Sequence, residues 1–288
     1  MYQLITDYRD DASLRHSFNR LAEKTFGLNF EDWYQNGLWS DSYRPFSIVR
    51  DGEIVANVSV NKTDMLLETK VRHFLQLGTV MTDEAHRRQG LIRELMARID
   101  AEYSGKCHGI YLFANDSVLD FYPRFGFEIS PEYESSGQLS SSGTCQFEKL
   151  TMDTPANWQL LKDAIGRSIF RGRFDMVDNP GLILFYVTKF LQENVYFHLP
   201  TDTWVIAQEE NGRLLIHNIF SGTLTETGQV LNLFGSAARE VVFGFTPPET
   251  EGYTVAEHQE EDCTLFIKGD LLKLIAGQKL RIPSLSHA

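Results

Sequence analysis

Hydrophobic residues in the first half of the chain recur with two periods, which predict different elements. Residues 12–26 carry apolar side chains at helical spacing, and Gly27 follows as a stop signal. Residues 45–50 and 53–61 are rich in β-strand formers and flank Asp51-Gly52, a dipeptide typical of a tight hairpin turn. The pattern therefore predicts a helix followed by antiparallel strands.

A βαβ unit is predicted over residues 75–127. Residues 75–82 and 109–115 are nearly continuous apolar runs, as expected of buried strands. Between them, one face of a predicted helix is apolar, at Leu91, Leu95, Met96 and Ile99. A short helix with Phe121 and Tyr122 follows the second strand. This order predicts an α/β fold built on a mixed sheet.

The second half repeats this order of elements. Helices are predicted at residues 158–169 and 181–192, the second with Asn179 as its N-cap and Pro180 at its first position. The remaining predicted elements are strands at 195–199, 203–208 and 213–220, a helix at 229–236, and strands at 240–246 and 263–268. Element order therefore indicates a second domain of similar architecture.

Two domains also agree with the length of the chain, because 288 residues exceed one typical core. Residues 137–144 read as a polar, flexible loop, and residues 151–155 have the composition of a linker. We therefore predict domains over residues 1–150 and 151–288.

The loop before the helix at residue 91 is a candidate anion site. The first N–H groups of a helix have no partner within the helix, and the helix dipole makes that end positive. Gly90 lets a ligand approach the backbone, and Arg87 and Arg88 add charge, so the loop suits a pyrophosphate. Taken alone, the same residues also fit a solvated basic turn.

The wider context resembles the GCN5-related N-acetyltransferases (GNAT). The loop Arg87-Arg88-Gln89-Gly90-Leu91-Ile92 is similar to the coenzyme A loop of that family at its first and fourth positions, whereas Ile92 stands where a small residue is usual. The run around it resembles the Eis-like branch, in which the sixth position is often large. Asn115, Tyr122 and Gly126-Phe127 follow in the family's register.

The resemblance implies an acetyl-CoA site and assigns its residues. The implied coenzyme contacts are Val80, Met81, Thr82, Arg87, Arg88, Gln89, Gly90, Leu91, Ile92, Arg93 and Asn115. Tyr122 is the implied general acid toward the coenzyme sulfur, because a phenol with a pKa near 10 stays protonated at neutral pH. The alternative for Tyr122 is an aromatic residue that only packs.

The acceptor would enter over the two N-terminal helices. Its candidate lining residues are Trp33, Tyr34, Trp39 and Tyr43, which alternatively pack between those helices and the sheet. No general base is assigned. Carboxylates near the loop are Asp83, Glu84, Asp116 and Asp120, a water chain is another route, and the resemblance to Eis-like proteins adds the C-terminal carboxylate of Ala288, although residues 283–288 read as a free tail.

The second half lacks the phosphate loop. The segment after residue 220 has no arginine, and Glu226 stands where positive charge is needed. We therefore predict a degenerate GNAT-like domain that is structural or shapes the substrate site, with a sterol-carrier-like lid as the alternative.

The charge and composition of the chain restrict the classes of partner that we expect it to bind. A formal charge of −12 argues against nucleic acid and anionic membranes, and it favours a cationic acceptor such as an amine. Three isolated cysteines, the absence of a signal-peptide pattern and the absence of a long apolar run predict a soluble cytoplasmic protein. Eight scattered histidines predict no metal site.

These observations predict an acetyl-CoA-dependent N-acetyltransferase acting on a small amine, with no metal. The oligomeric state is left open. One alternative is a non-catalytic protein that binds or senses acyl-CoA, with acceptor access closed by the second half. The other is a scaffold protein that has lost the cosubstrate.

Overall fold

The computed structural model describes residues 1–139, 144–177, 179–235 and 238–287. The α-helices in these ranges are α1 (Ala12–Phe26), α2 (Glu31–Gln35), α3 (Leu91–Tyr103), α4 (Pro155–Arg167), α5 (Pro180–Phe190), α6 (Thr227–Phe234) and α7 (Leu274–Gly277). Among these helices, none is long and apolar enough to cross a membrane.

The strands form two mixed sheets. They are β1 (Gln3–Thr6), β2 (Tyr43–Arg50), β3 (Glu53–Leu67), β4 (Lys70–Thr82), β5 (Gly109–Ala114), β6 (Glu128–Ile129), β7 (Glu132–Gln138), β8 (Glu148–Leu150), β9 (Phe174–Met176), β10 (Val195–His198), β11 (Thr203–Glu210), β12 (Arg213–Ser221), β13 (Glu240–Phe243), β14 (Thr254–His258) and β15 (Thr264–Lys268). The first sheet has the order β1-β2-β3-β4-β5-β15-β6, with β9 added to β3, and the second has the order β14-β7-β13-β12-β11-β10-β8.

The predicted βαβ unit is confirmed as β4-α3-β5. Strands β4 and β5 are parallel, but their pairing covers only residues 74–77 and 109–112. Beyond that point β4 continues to Thr82, still paired with β3, and β5 continues to Ala114. The two strands therefore separate at their C-terminal ends, next to the start of α3.

The two faces of the first sheet carry different helices. Ile110, Leu112 and Ala114 of β5 join the core under α3, whereas Tyr111 and Phe113 join the core that contains α1, α2 and α5. The alternation follows the two-residue period of a strand. Helix α5 is buried along most of its length, because it fills the space between the two sheets.

The second half contains the same crossover. Strand β12, helix α6 and the parallel strand β13 repeat the arrangement of β4, α3 and β5. Asn179 caps α5 as predicted, since its side chain accepts from the N–H of Leu182. The predicted mixed α/β architecture with two similar halves is confirmed.

The sheets do not divide at the predicted boundary. Strand β15, from the second half, lies between β5 and β6, and strand β7, from the first half, lies between β13 and β14. The division at residue 150 therefore does not coincide with the division between the sheets. The division of the chain into domains over residues 1–150 and 151–288 stays a prediction.

Several local predictions need correction. Tyr122–Phe125 is a 3₁₀ turn and not an α-helix, and the strand predicted at 240–246 ends at Phe243. Residues 283–287 do not form a free tail, because Leu285 and Ser286 are buried and the Ser284 N–H donates to the Gly244 carbonyl. Residues 140–143 of the predicted flexible loop, Ser236 and Ala288 lie outside the described residues.

Candidate active site

The loop between β4 and α3 has the conformation of an open anion site. Arg88 and Gly90 both adopt left-handed backbone angles, with φ of 62° and 79°. Helix α3 begins directly after Gly90, and no side chain in the described part of the chain caps it. A Cβ built on Gly90 meets no atom of the described residues within 4 Å, so the backbone there faces open space. The first amides of α3 are therefore accessible to a ligand.

Exposed cations surround this helix start. Arg87, Arg88 and Arg93 are exposed, and within the described residues the Arg87 guanidinium makes two long contacts, at 3.4 Å to the Thr82 carbonyl and 3.8 Å to Glu84. Surface pairs of this kind contribute little energy, so the guanidinium groups can turn to an anionic ligand.

A tyrosine from the chain terminus supports the loop. The Tyr2 hydroxyl donates to Gln89 Oε1 at 2.7 Å and lies 2.9 Å from His86 Nδ1. The guanidinium of Arg50 lies 5.3 Å above the Tyr2 ring and brings another cation to this side of the loop. Sequence reasoning missed Tyr2 and Arg50, since residues so distant in the chain share no local pattern with the loop.

The large residues at the fifth and sixth loop positions point into the protein. Leu91 is buried in the core under α3, and Ile92 packs against the same core. Their side chains are therefore directed into the hydrophobic core. The unusual isoleucine at position 92 is accounted for by this packing.

A β-bulge shapes β4 where it leaves β5. The register with β3 shifts between Asn57 and Ser59, and Thr79 takes a left-handed φ of 48°. A β-branched residue in that region is strained, so the surroundings must hold it. Asn57 Nδ2 donates to the Thr79 carbonyl at 2.9 Å, and the Tyr43 hydroxyl lies 2.7 Å from Thr79 Oγ1.

The predicted β4 contacts follow this bulge. Val80, Met81 and Thr82 lie on the stretch of β4 that no longer pairs with β5, and Met81 is buried whereas Val80 and Thr82 are half-buried. Main-chain groups on the β5 side of this stretch have no strand partner among the described residues. They can therefore bond an extended ligand between the two strands.

Tyr122 lies in the core beside the separated strands. It is 5% exposed and contacts the rings of Phe121, Phe127 and Phe266. Its hydroxyl has no hydrogen-bond partner within the described residues, and burial raises its pKa to about 12. The phenol is thus a protonated, unengaged donor at neutral pH.

Asn115 is engaged by the second half of the chain. Its Nδ2 donates to Asp262 Oδ2 at 2.6 Å, and the N–H of Asp116 donates to the other oxygen at 2.7 Å. This contact ties the end of β5 to the loop before β15. The role of Asn115 in holding the coenzyme stays a prediction.

The four aromatic candidates for the acceptor site separate into two pairs. Trp33 and Tyr43 are buried beside a cavity of about 130 Å³ that also touches Thr79. Trp39 donates its indole N–H to the Tyr43 carbonyl, and Tyr34 bonds Asp10, so both stand away from that cavity. For Trp39 the structure agrees with packing between the helices and the sheet.

A larger cleft of about 770 Å³ lies between the sheets and reaches β5 at Phe113. Glu134, Glu210 and Glu260 line it together with Arg213 and Arg281, and both arginines pair with Glu134. Desolvation lowers the pKa of His217 in its wall to about 4, so this imidazole is neutral.

The carboxylates near the loop do not provide an evident base. Asp83 bonds Lys24 at 2.9 Å, which lowers the pKa of the Asp83 carboxyl. Glu84, Asp116 and Asp120 are exposed. The carboxylate of Ala288 lies outside the described residues.

The equivalent helix start in the second half is already occupied. Glu226 precedes α6 without capping it, while Glu249 accepts from the Thr227 N–H at 3.1 Å and from the Thr227 hydroxyl at 2.8 Å. A carboxylate of the chain therefore occupies the place where an anion would bind. Among the described residues, no group of His, Cys, Asp and Glu is placed to hold a metal.

Comparisons with known proteins agree with this geometry. Residues 12–130 match the family model of the acetyltransferase (GNAT) domain. No curated protein matches the sequence.

Solved structures show the same fold. A protein from Enterococcus faecalis V583 described as a probable N-acyltransferase is 12% identical, with a TM-score of 0.58 over 93% of this chain and 72% of that chain. Eis1 from Mycobacterium abscessus is 15% identical, with a TM-score of 0.58 over 92% and 73%. A GCN5-related N-acetyltransferase from Kribbella flavida is 17% identical, with a TM-score of 0.54 over 98% and 74%.

The domain matched by residues 12–130 is that of an acyltransferase. Residues 12–130 match the GNAT acetyltransferase domain, and the whole chain shares its fold with the solved structures named above.

Proposed function

We propose that the protein is an acetyl-CoA-dependent N-acetyltransferase that acts on the amine of a small acceptor. The observation that carries the proposal is the open backbone at Gly90, at the start of α3 and beside the separated ends of β4 and β5. This arrangement fits a ligand with a diphosphate at one end and an extended, hydrogen-bonding arm at the other.

Acyl transfer from a thioester to an amine requires three contributions. The amine must lose a proton, the oxyanion needs a hydrogen-bond donor, and the departing thiolate needs a proton. Main-chain N–H groups of β4 beyond residue 77 are candidates for the oxyanion donor. Tyr122 is the proposed proton donor, because its hydroxyl is protonated and makes no other hydrogen bond within the described residues.

A small, cationic acceptor is proposed from the charge of the protein. The chain carries a formal charge of −12, which raises the local concentration of cations by long-range attraction. In the cleft between the sheets, Glu134 pairs with both lining arginines and Glu260 pairs with His258. This leaves Glu210 as the lining glutamate without an ion pair within the described residues. Trp33 and Tyr43, the predicted acceptor contacts, line a separate apolar cavity nearer to β4.

Acetyl-CoA turnover by the full chain tests the proposal. We expect thiol release with some members of a panel of primary amines and none without an amine. A coenzyme present at a hundred times its Kd should stabilise the fold by about 2.7 kcal/mol in thermal unfolding. Stabilisation without thiol release would favour the acyl-CoA-binding alternative. Absence of both would contradict the proposed function.

A further inference from the structure

An apolar cavity adjoins the bulge of β4. It measures about 130 Å³ and lies on the face of the first sheet opposite α3. Phe30, Trp33, Tyr43, Leu182 and Phe185 form its interior, and Thr79 brings it to the bulge. Phe26, which is 43% exposed, and Leu28 complete the wall and bring it to the protein surface.

The wall offers no unsatisfied polar side chain. All of its residues belong to the described part of the chain, and only three of them carry polar side-chain atoms. The Trp33 indole N–H donates to the Gly181 carbonyl at 2.8 Å, and the Tyr43 hydroxyl pairs with Thr79 Oγ1 at 2.7 Å. Phe30 stacks on Phe185 with 5.1 Å between the ring centroids. A charged amine would be desolvated here without compensation, whereas an alkyl chain would be stabilised.

The position and the size of the cavity indicate which alkyl group it can hold. Thr79 lies where β4 and β5 have separated, which is where the proposed function puts the thioester. For comparison, an apolar cavity of about 150 Å³ in another protein can hold benzene. The cavity is therefore large enough for a chain of about four carbons, and acetyl would leave most of it unfilled.

We propose that this cavity is an acyl-chain pocket and that the enzyme takes short, unbranched acyl-CoA thioesters up to about butanoyl. The inference rests on the proposed function and specifies its acyl donor. In the reaction, the amine nitrogen bonds to the carbonyl carbon and the carbon–sulfur bond breaks. The proton lost by the amine balances the one taken up by the thiolate, so the products are an amide and free coenzyme A.

Affinity measured along a chain-length series tests the pocket without knowledge of the acceptor. Calorimetry on the full chain would use coenzyme A, acetyl-CoA, propionyl-CoA and butanoyl-CoA. We expect Kd to fall about fourfold for each methylene added beyond acetyl, as burial of one methylene predicts. Free coenzyme A is the reference for contacts outside the pocket.

A substitution that fills the cavity tests whether this cavity is the one that holds the acyl chain. Leu28→Trp places an indole at its rim and should abolish the chain-length dependence. Leu224→Trp, at a partly buried leucine of the second half, is the matched control and should preserve the dependence. The wild-type series remains decisive if the Leu28 variant does not fold.

The outcomes separate the two proposals. If coenzyme A and acetyl-CoA both fail to bind, the proposed function is overturned together with the pocket. If they bind but affinity is flat or falls from acetyl to butanoyl, the pocket is overturned and the proposed function stands. If Leu224→Trp also loses the dependence of affinity on acyl-chain length, the placement of the pocket at the cavity beside β4 is contradicted.

Discussion

Gly90 and Gly27 share a backbone conformation but differ in their surroundings. Their φ angles are 79° and 70°, and a Cβ on either meets no atom within 4 Å. Gly27 ends α1, whereas Gly90 precedes the open start of α3. The pair therefore allows backbone strain to be separated from ligand binding.

We expect Gly90→Ala and Gly27→Ala to lose similar stability, about 1 kcal/mol each, because a left-handed alanine is strained. Only Gly90→Ala should weaken coenzyme A binding, by tenfold or more, since one hydrogen bond to a charged group is worth about 1.5–3 kcal/mol. Thermal unfolding and calorimetry measure the two effects. Equal coenzyme affinity in both variants would remove Gly90 from the site.

Substitution of Tyr122 tests the proposed proton donation to the thiolate separately from coenzyme binding. Tyr122→Phe removes the proton donor but keeps the ring that packs on Phe121, Phe127 and Phe266. We expect kcat to fall about a hundredfold or more, as is typical for a lost general acid, with coenzyme affinity nearly unchanged. Tyr196→Phe, in the second sheet, is the control and should leave kcat unaltered. An unaltered kcat in the Tyr122 variant would exclude this residue as the acid.

Glu132 links stability to pH. Burial raises its pKa from 4.5 to about 7, against the opposing effects of Arg281, the Ile282 N–H and His258. Between these values the folded state keeps a proton that the unfolded state loses, so stability falls as pH rises from about 4.5 to about 7. The full effect is about 3 kcal/mol.

Glu132→Gln should therefore raise the melting temperature at pH 8 and change it little at pH 4. Glutamine can still accept the Ile282 N–H that Glu132 Oε1 accepts. Glu148→Gln, at an exposed position, serves as the control and should show no such pH-dependent difference. A difference that is the same at both pH values would contradict the raised pKa.

At the scale of elements, the parts of the site that depend on residues adjacent in the sequence could be predicted. The parts that depend on residues distant in the sequence could not. The start of α3 was predictable because glycine, basic residues and helical spacing follow each other directly. The bulge in β4 was not, because Thr79 is β-branched and its left-handed angle depends on distant partners. Asn115 likewise carries no local sign that Asp262 binds it.

The register shifts in the β3–β4 pair and in the β11–β12 pair give a matched pair of asparagines. Asn57 donates to the Thr79 carbonyl at 2.9 Å, and Asn194 donates to the Ala207 carbonyl at 3.2 Å, each at a register shift. Replacing either with alanine leaves a main-chain carbonyl without its donor. We expect Asn57→Ala and Asn194→Ala each to lose about 1–3 kcal/mol in urea unfolding.

The two variants should differ in acyl transfer. Asn57→Ala releases the bulge that precedes Val80, Met81 and Thr82, so thiol release should slow beyond what its lost stability explains. Asn194→Ala should keep the wild-type rate at temperatures where it is folded. Equal rates in both variants would show that the β4 bulge is not needed for turnover.

At the scale of the whole molecule, the exchange of strands was not predictable from the pattern. An apolar run at residues 263–268 identifies a strand but not its partners, and nothing local says that β15 pairs with β5, more than a hundred residues earlier. The same holds for β7, whose partners β13 and β14 come from the second half. Local order therefore predicted two similar halves, while the sheets that join them depend on long-range pairing.

This exchange predicts that the protein unfolds as one unit. Residues 1–150 alone lack β15, so β5 and β6 lose their shared partner, and residues 151–288 alone lack β7. We expect neither fragment to give a cooperative transition in circular dichroism, and mixing them to restore part of the folded signal. In the full chain, variants that keep either Trp33 and Trp39 or Trp158 and Trp204 report on the two halves by fluorescence. Their urea transitions should coincide with each other. Two separated transitions, or a folded 1–150 fragment, would instead support independent domains divided near residue 150.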